Sequence, residues 1–137
     1  MKLFTSNHKT ITLGDEIARG GEGIVYTVND NTVAKLFFEP GKRMSKMIAF
    51  ARKNLSIEGV CTPNQLLYND TQDFVGYTMD KAKGKSLQLT IFQPQLFKSL
   101  YPNWTKIELA KLAINILKKI KKLHDKNVLV GDLNPLN

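Results

Sequence analysis

Three glycines, Gly20, Gly21 and Gly23, lie between two β-forming runs and restrict the folds open to this chain of 137 residues. Ile17 leads into the glycines, and residues 24–28 follow them at once. Dinucleotide-binding loops and Walker loops place their glycines between a strand and a helix, because the helix N-terminus receives the phosphates. The position of these glycines argues against both. It favours either a plain hairpin turn or a turn whose backbone N–H groups close over phosphates.

The rest of the chain reads as strands with one intervening helix, followed by helices. Polar and apolar residues alternate in some of the runs, and β-branched and aromatic residues fill others. The predicted strands cover residues 9–13, 24–28, 32–38, 65–68 and 74–79. Helical spacing of apolar residues predicts a helix over residues 42–54. This order indicates an α+β fold rather than a doubly wound sheet.

The last helix has the clearest pattern. Thr105 and Glu108 form a T-x-x-E capping box, and we expect the helix to end near Asp125. Its apolar stripe consists of Ile107, Ala110, Ile114, Leu117, Ile120 and Leu123. Lysines at 118, 119, 121 and 122 complement the helix dipole and predict a solvated face. Since no aromatic residues alternate with them, we do not expect this segment to bind nucleic acid.

Composition places the chain among ordinary globular proteins. Hydrophobic residues make up 42% and charged residues 23%, with a net charge of +8. No apolar run has the length needed to cross a bilayer, and the first residues turn polar too soon for a signal peptide. Cys61 is the single cysteine, so no internal disulfide is possible, and we expect a buried, inert thiol. These features predict a cytoplasmic protein without membrane contact.

Lys35 stands in the otherwise apolar run of residues 32–38. A lysine that points into a cleft lined by a sheet needs an anion to offset its desolvation, and a nucleotide phosphate would serve. The alternative is a lysine on an edge strand that points to solvent. Because Lys35 follows the glycine turn on the very next strand, we favour nucleotide binding.

Asp132 and Asn137 lie five positions apart near the end of the chain. An aspartate can accept or orient a hydroxyl proton, and an asparagine carbonyl is a hard oxygen ligand suited to magnesium. Gly131-Asp132 and Asn134-Pro135 also make good turns, so a surface loop is the alternative.

Taken together, these motifs resemble the protein kinase superfamily over nearly the whole chain. Residues 17–25 look like its glycine-rich loop, and residues 32–35 look like its V-A-I-K strand. Residues 74–87 are similar to the fifth strand, the hinge and the start of the next helix, and residues 131–137 to the H-R-D-L-x-x-x-N loop. The GGEG and G-D-L-N-P sequences resemble a bacterial and phage subgroup of Ser/Thr-kinase-like proteins.

The resemblance implies a kinase N-lobe at residues 1–80, with a five-stranded antiparallel sheet and one helix. Residues 81–137 would then hold the hinge, the first C-lobe helices and the catalytic loop. It also implies ATP and Mg²⁺ as cofactors. Asp132 would be the catalytic base, Lys35 would hold phosphates, and Asn137 would bind magnesium. The remaining nucleotide-binding residues would be Gly20, Gly21, Gly23, Val25, Ala34, Met79, Asp80 and Ala82.

The chain departs from the family pattern at four points. Ala18 replaces the first loop glycine, and Val130-Gly131 replaces His-Arg, so the arginine that anchors a phosphorylated activation loop is absent. No acidic residue occurs in residues 40–54, so the carboxylate partner of Lys35 would be Glu39 or Glu58, or be missing. The chain also stops before a D-F-G segment.

We therefore expect an ATP-binding, protein-kinase-like phosphotransferase that acts on Ser/Thr hydroxyls, present here as its N-terminal portion. A partner chain would cover the apolar stripe of the last helix. Two alternatives stay open: a non-catalytic nucleotide-binding scaffold, and a small-molecule kinase of the same fold.

Overall fold

The computed structural model describes residues 2–135. The chain divides into two compact units, Met1–Ala82 and Lys83–Asn137. Within the described residues, the first contains seven strands and one α-helix, and the second contains two α-helices. This is an α+β arrangement. The prediction that residues 1–80 and 81–137 are parts of two kinase lobes stays a prediction.

A seven-stranded antiparallel sheet forms the first unit, in the order β2-β1-β6-β7-β5-β4-β3. Its strands are β1 (Lys2–Thr5), β2 (Thr10–Thr12), β3 (Glu16–Arg19), β4 (Gly23–Asn29), β5 (Thr32–Phe37), β6 (Pro63–Tyr68) and β7 (Phe74–Asp80). β5 lies inside the sheet, between β4 and β7. Lys35 is therefore not on an edge strand.

The expected count of five strands is wrong, because the sheet also contains β1 and β3; β2 lies within the strand predicted at 9–13 and forms a hairpin with β1. β1 pairs with β2 on one side and with β6 on the other, so the hairpin covers an edge of β6 that would otherwise be open. Leu3 and Thr5 of β1 are almost fully buried. A polar turn at residues 6–8, in which His8 has a φ of 60°, joins β1 to β2.

Two apolar clusters occupy the first unit. Leu3, Ala34 and Leu67 form the centre of one cluster. The other contains Met47, Leu66 and Phe74, with Phe37 and Tyr77 packed against it. Neighbouring residues of β5 and of β6 belong to different clusters because successive side chains of a strand point to opposite faces.

Helix α1 (Met44–Ala51) is shorter than the predicted helix over 42–54. A 3-10 turn at Pro40–Lys42 precedes it, since Pro40 starts a tight turn rather than continuing the strand. Met47 is its buried residue and packs against Leu66 of β6. The helix therefore covers the face of the sheet that carries Phe37 and Tyr77.

Cys61 is free and exposed, so the expectation of a buried thiol is wrong. It lies in the irregular segment between α1 and β6, where its neighbour Thr62 is the buried residue. Partial desolvation raises the pKa of the Cys61 thiol, and the charge of Asp80 raises it further. The thiol therefore keeps its proton at neutral pH and is a poor nucleophile.

The second unit contains helices α2 (Pro94–Leu100) and α3 (Lys106–His124). The helix start expected near residue 87 is wrong: residues 86–92 form turns, and α2 begins only at Pro94. Phe97, Tyr101 and Trp104 form an aromatic cluster, with 4.6 Å between the ring centroids of Tyr101 and Trp104. This cluster joins α2 to the segment that enters α3.

The apolar stripe of α3 is largely exposed in this chain. Ile107, Ile114 and Leu117 have 63%, 50% and 63% of their surface accessible, whereas Leu123 is buried. That a partner chain covers the stripe stays a prediction. Within the described part of the chain, no helix combines the length and apolar character that a membrane span requires.

The predicted capping box at the start of α3 is present. The Thr105 hydroxyl accepts a hydrogen bond from the Ile107 N–H at 3.1 Å, and the Glu108 carboxylate accepts one from the Thr105 N–H at 2.8 Å. Hydrogen bonds from the side chain and backbone of Thr105 lower the pKa of Glu108 to about 2. The ionised form of Glu108 is thus the one that the folded helix favours.

We predict that Glu108→Gln lowers the thermal stability of α3 at neutral pH and has no effect in strong acid. Since the folded pKa lies below the ordinary value of 4.5, the stabilisation is complete above about pH 4.5 and is lost as the pH falls through about 2. Circular dichroism melts of both proteins from pH 7 to pH 2 measure it. Lys111→Gln, which removes only the 3.7 Å ion pair to Glu108, is the control. A difference in melting temperature between Glu108→Gln and wild type that is independent of pH would contradict the prediction.

Candidate functional site

The glycine turn joins β3 to β4 and is fixed by its own backbone. The Gly20 N–H donates to the Gly23 carbonyl at 3.0 Å, which closes the turn. The Phe38 N–H donates to the Glu22 carbonyl at 3.0 Å, which ties the turn to the end of β5. The turn therefore has a defined position next to the strand that carries Lys35.

The glycines of this turn have different structural roles. A Cβ atom on Gly23 would lie 2.1 Å from the Leu36 carbonyl oxygen, so the sheet itself requires glycine there. A Cβ atom on Gly20 or Gly21 would meet nothing within 4 Å, and neither residue has a positive φ. The fold does not require glycine at 20 or 21, and the space beside them can admit a ligand.

Two backbone donors of the turn are available to such a ligand. Among residues 2–135, the N–H groups of Gly21 and Glu22 have no hydrogen-bond partner. Adjacent N–H groups in a turn are a common binding site for phosphate oxygens. The turn thus offers both donors and open space.

Lys35 lies directly opposite Val25 of β4 and Tyr77 of β7. Its ammonium is 5.6 Å from the centre of the Phe37 ring, and its side chain is 27% exposed. Burial raises the pKa of Tyr77, and the Glu22 carboxylate raises it further. Lys35 is therefore the charged group on a face made of Val25, Phe37 and a neutral Tyr77.

The carboxylate nearest to Lys35 belongs to Glu22 of the glycine turn. The distance between Lys35 Nζ and Glu22 Oε2 is 3.8 Å. Arg43 Nη2 contacts the other oxygen, Glu22 Oε1, at 2.6 Å. Glu39, one of the two partners expected from the sequence, instead pairs with Lys42 at 2.7 Å.

Glu22 and Arg43 are the two residues that sequence reasoning missed. The sequence prediction offered Glu39 or Glu58, both after β5, as the partner of Lys35. The pairing of β4 with β5 brings Glu22 close to Lys35, because Gly23, the residue after Glu22, lies opposite Phe37. The pairing register of β4 and β5, which the turn residues 29–31 predict, could have indicated this neighbour.

Ala34 does not lie with Val25 and Lys35. Strand alternation places it on the opposite face, across from Tyr26 and Thr78, where it is fully buried. Val33, two residues before Lys35, lies on the same face as Lys35 and opposite Met79. Val33 therefore occupies the position beside the lysine that the sequence prediction assigned to Ala34.

Three predicted nucleotide-binding residues lie at or just after the end of β7: Met79, Asp80 and Ala82. Met79 is half-buried opposite Val33, and the Asp80 side chain accepts a hydrogen bond from Asn64 at 2.8 Å. The Lys81 N–H donates to the Asn31 carbonyl at 2.8 Å. Within the described residues, the backbone N–H and carbonyl of Ala82 make no hydrogen bond. Ala82 can therefore offer a donor and an acceptor to the edge of a planar ring.

In the second unit, the loop around Asp132 is held by local hydrogen bonds. The Asn134 side-chain amide donates to Asp132 Oδ1 at 2.8 Å, and the Gln88 N–H donates to the Pro135 carbonyl at 2.8 Å. Asn137, the predicted magnesium ligand, lies outside the described residues. Residues 2–135 contain no group of three or more His, Cys, Asp or Glu side chains placed to hold a metal ion.

Comparison with known proteins finds similarity to proteins named as protein kinases. No protein-family model matches the chain. The chain is 30% identical to Protein kinase YegI of Escherichia coli (strain K12), over 98% of this chain and 22% of the relative. It is 29% identical to Protein kinase YegI of Escherichia coli O157:H7, over 96% of this chain and 22% of the relative. The chain spans about a fifth of the length of these curated relatives. The similarity supports a kinase-like relationship.

We predict that Gly23→Ala destabilises the first unit by about 1–3 kcal/mol, because the added methyl group collides with the backbone of β5. Gly20→Ala and Gly21→Ala are the matched controls, and each should change the free energy of unfolding by less than about 0.5 kcal/mol. Urea unfolding followed by circular dichroism measures all three. Equal destabilisation by all three substitutions would contradict the assignment of structural and open glycines.

Proposed function

We propose that this chain is the nucleotide-binding portion of an ATP-dependent, protein-kinase-like phosphotransferase acting on Ser/Thr hydroxyls. One observation carries the proposal: Lys35 lies opposite Val25, next to a turn with free N–H groups and open space at Gly20 and Gly21. The similarity to a protein named as a kinase agrees with this reading.

The proposal assigns the phosphates to the turn and to Lys35. The N–H groups of Gly21 and Glu22 would donate to phosphate oxygens, and the ammonium of Lys35 would pair with the phosphate charge. Lys35 Nζ is 3.8 Å from Glu22, beyond hydrogen-bonding distance, so this contact leaves its donors available. A hydrogen bond to a charged group contributes about 1.5–3 kcal/mol, more than a typical neutral one.

The proposal assigns the adenine to the apolar residues beside the lysine. Val25 and Val33, which lie on one face of the sheet, would contact one face of the ring, with Met79 at the back of the pocket. Backbone groups of Asp80 and Ala82 would bond the polar edge of the ring. Val33 replaces Ala34 in this assignment, because Ala34 lies on the other face of β5.

The proposal assigns the acceptor hydroxyl and the magnesium to the second unit. Asp132 would orient the hydroxyl and accept its proton, while the side-chain oxygen of Asn137 is a suitable ligand for Mg²⁺. Magnesium in phosphotransferase sites is bound by one or two carboxylates together with substrate phosphates and water, and Asn137 would add an amide oxygen to such a set. When bound, Mg²⁺ neutralises charge that develops on the transferred phosphoryl group.

We predict that the chain binds MgATP and that Lys35→Met weakens this binding by about 10-fold to 100-fold, the equivalent of one charge-assisted hydrogen bond. Titration calorimetry measures the affinity. Lys9→Met is the matched control, because it removes the same charge from an exposed position in the first unit. Equal affinities of wild type and Lys35→Met would overturn the pocket assignment.

We also predict that Asp132→Asn abolishes phosphate transfer while MgATP affinity changes less than about twofold, because Asp132 acts on the hydroxyl rather than on the nucleotide. Transfer of radiolabelled phosphate from ATP to a mixture of Ser/Thr-containing proteins measures it. ATP binding without transfer by the wild-type chain would favour the non-catalytic scaffold. Transfer to small hydroxyl compounds alone would favour the small-molecule kinase.

A further inference from the structure

Two cations converge on the single carboxylate of Glu22. One oxygen contacts the Arg43 guanidinium at 2.6 Å, and the other lies 3.8 Å from the Lys35 ammonium. The three residues come from different elements: the glycine turn, β5, and the residue that precedes α1. The Glu22 carboxylate thus marks a position where an anion meets both cations at once.

This group of side chains has an excess of positive charge. Lys35 and Arg43 share Glu22, while the neighbouring Glu39 pairs with Lys42 at 2.7 Å. Residues 44–51 of α1 contain no acidic side chain that could neutralise the surplus. An anion with more than one charge would therefore balance Lys35 and Arg43 better than the single charge of Glu22 does.

The ion pairs of Glu22 with Lys35 and Arg43 are also weak. The Glu22 side chain is 52% exposed, and ion pairs at such positions contribute little to stability. The contact to Lys35 is too long for a hydrogen bond. Gly20 and Gly21 precede Glu22 and meet no neighbouring atoms on their open side, so the turn has room to move its side chain.

We propose that Arg43 is a second phosphate-binding residue, and that Glu22 holds the anion position between Arg43 and Lys35 until a phosphate group displaces it. This role rests on the proposed nucleotide function and specifies it. A phosphate carries more charge than a carboxylate and offers three oxygens, and the guanidinium can bind two of them in parallel. The ligand class is a nucleoside diphosphate or triphosphate, since adenosine has no group for this position.

The opposite role for Glu22 is that of a permanent partner that orients Lys35 for the nucleotide. The two roles predict opposite effects of removing the Glu22 charge. Displacement predicts that Glu22→Gln tightens binding of phosphate-bearing nucleotides, because a competing anion is lost. Orientation predicts that the same substitution weakens binding.

Calorimetric titration of the 137-residue chain with MgATP, ADP, adenosine and inorganic tripolyphosphate tests the proposal. We expect Arg43→Met to weaken ATP and ADP binding about tenfold and to leave adenosine binding unchanged. Glu22→Gln should tighten ATP and ADP binding several-fold. Lys42→Met, which removes an equal charge one residue away, should change ATP affinity less than about twofold. Melting temperatures confirm that each variant is folded.

Each remaining outcome decides between this inference and the proposed function. ATP binding that depends on Lys35 but not on Arg43 would overturn the role of Arg43 and keep the proposed function. Weaker ATP binding by Glu22→Gln would overturn displacement in favour of orientation. Tripolyphosphate binding that depends on Arg43, without preference for ATP, would support the anion position and overturn the nucleotide function. Failure of the wild-type chain to bind any probe would overturn both.

Discussion

The pairing of β5 with both β4 and β7 is the constraint on which the first unit depends. Because β5 is internal, its backbone is hydrogen-bonded on both sides and its side chains are fixed to alternate faces. Ala34 is fully buried against Leu3 and Leu67, and this contact fixes which face is which. A shift of one residue would bury the charge of Lys35 in that cluster, so the core and the candidate site specify the same register.

Local patterns in the sequence were sufficient to predict the elements that have strong turn or capping signals. The capping box at Thr105, the helix end near Asp125 and the strands on either side of residues 69–73 all agree with the structure. Each depends on residues close together in the chain. β1 was missed, although its partner β2 was predicted, because β1 is short and part of its pairing is with the distant β6. Short strands of this kind depend on tertiary contacts more than on propensity.

The sequence placed the glycine turn and Lys35 in one candidate site but did not identify the residues around them. The glycine turn and Lys35 were found from the order of the motifs, and the structure places them side by side. The resemblance to the V-A-I-K strand suggested Ala34, yet strict alternation along β5 puts Val33 on the lysine face. Because side chains two residues apart share a face of a strand, the sequence alone already places Val33 on the same face as Lys35. The assignment of Glu22 needed the strand register.

Because Glu22 is its nearest carboxylate, Lys35 contacts the glycine turn rather than an acidic residue of the following helix. The resemblance implies that the carboxylate partner of the lysine lies on the helix after β5. The carboxylate and the phosphates would then be held by different elements. Here Arg43 stands before that helix, and the acid comes from the turn that also offers N–H groups to a ligand. The charges on turn and helix are therefore reversed relative to that pattern. Turn, lysine and helix meet through one exposed carboxylate, so an anion that replaces Glu22 alters all three contacts together.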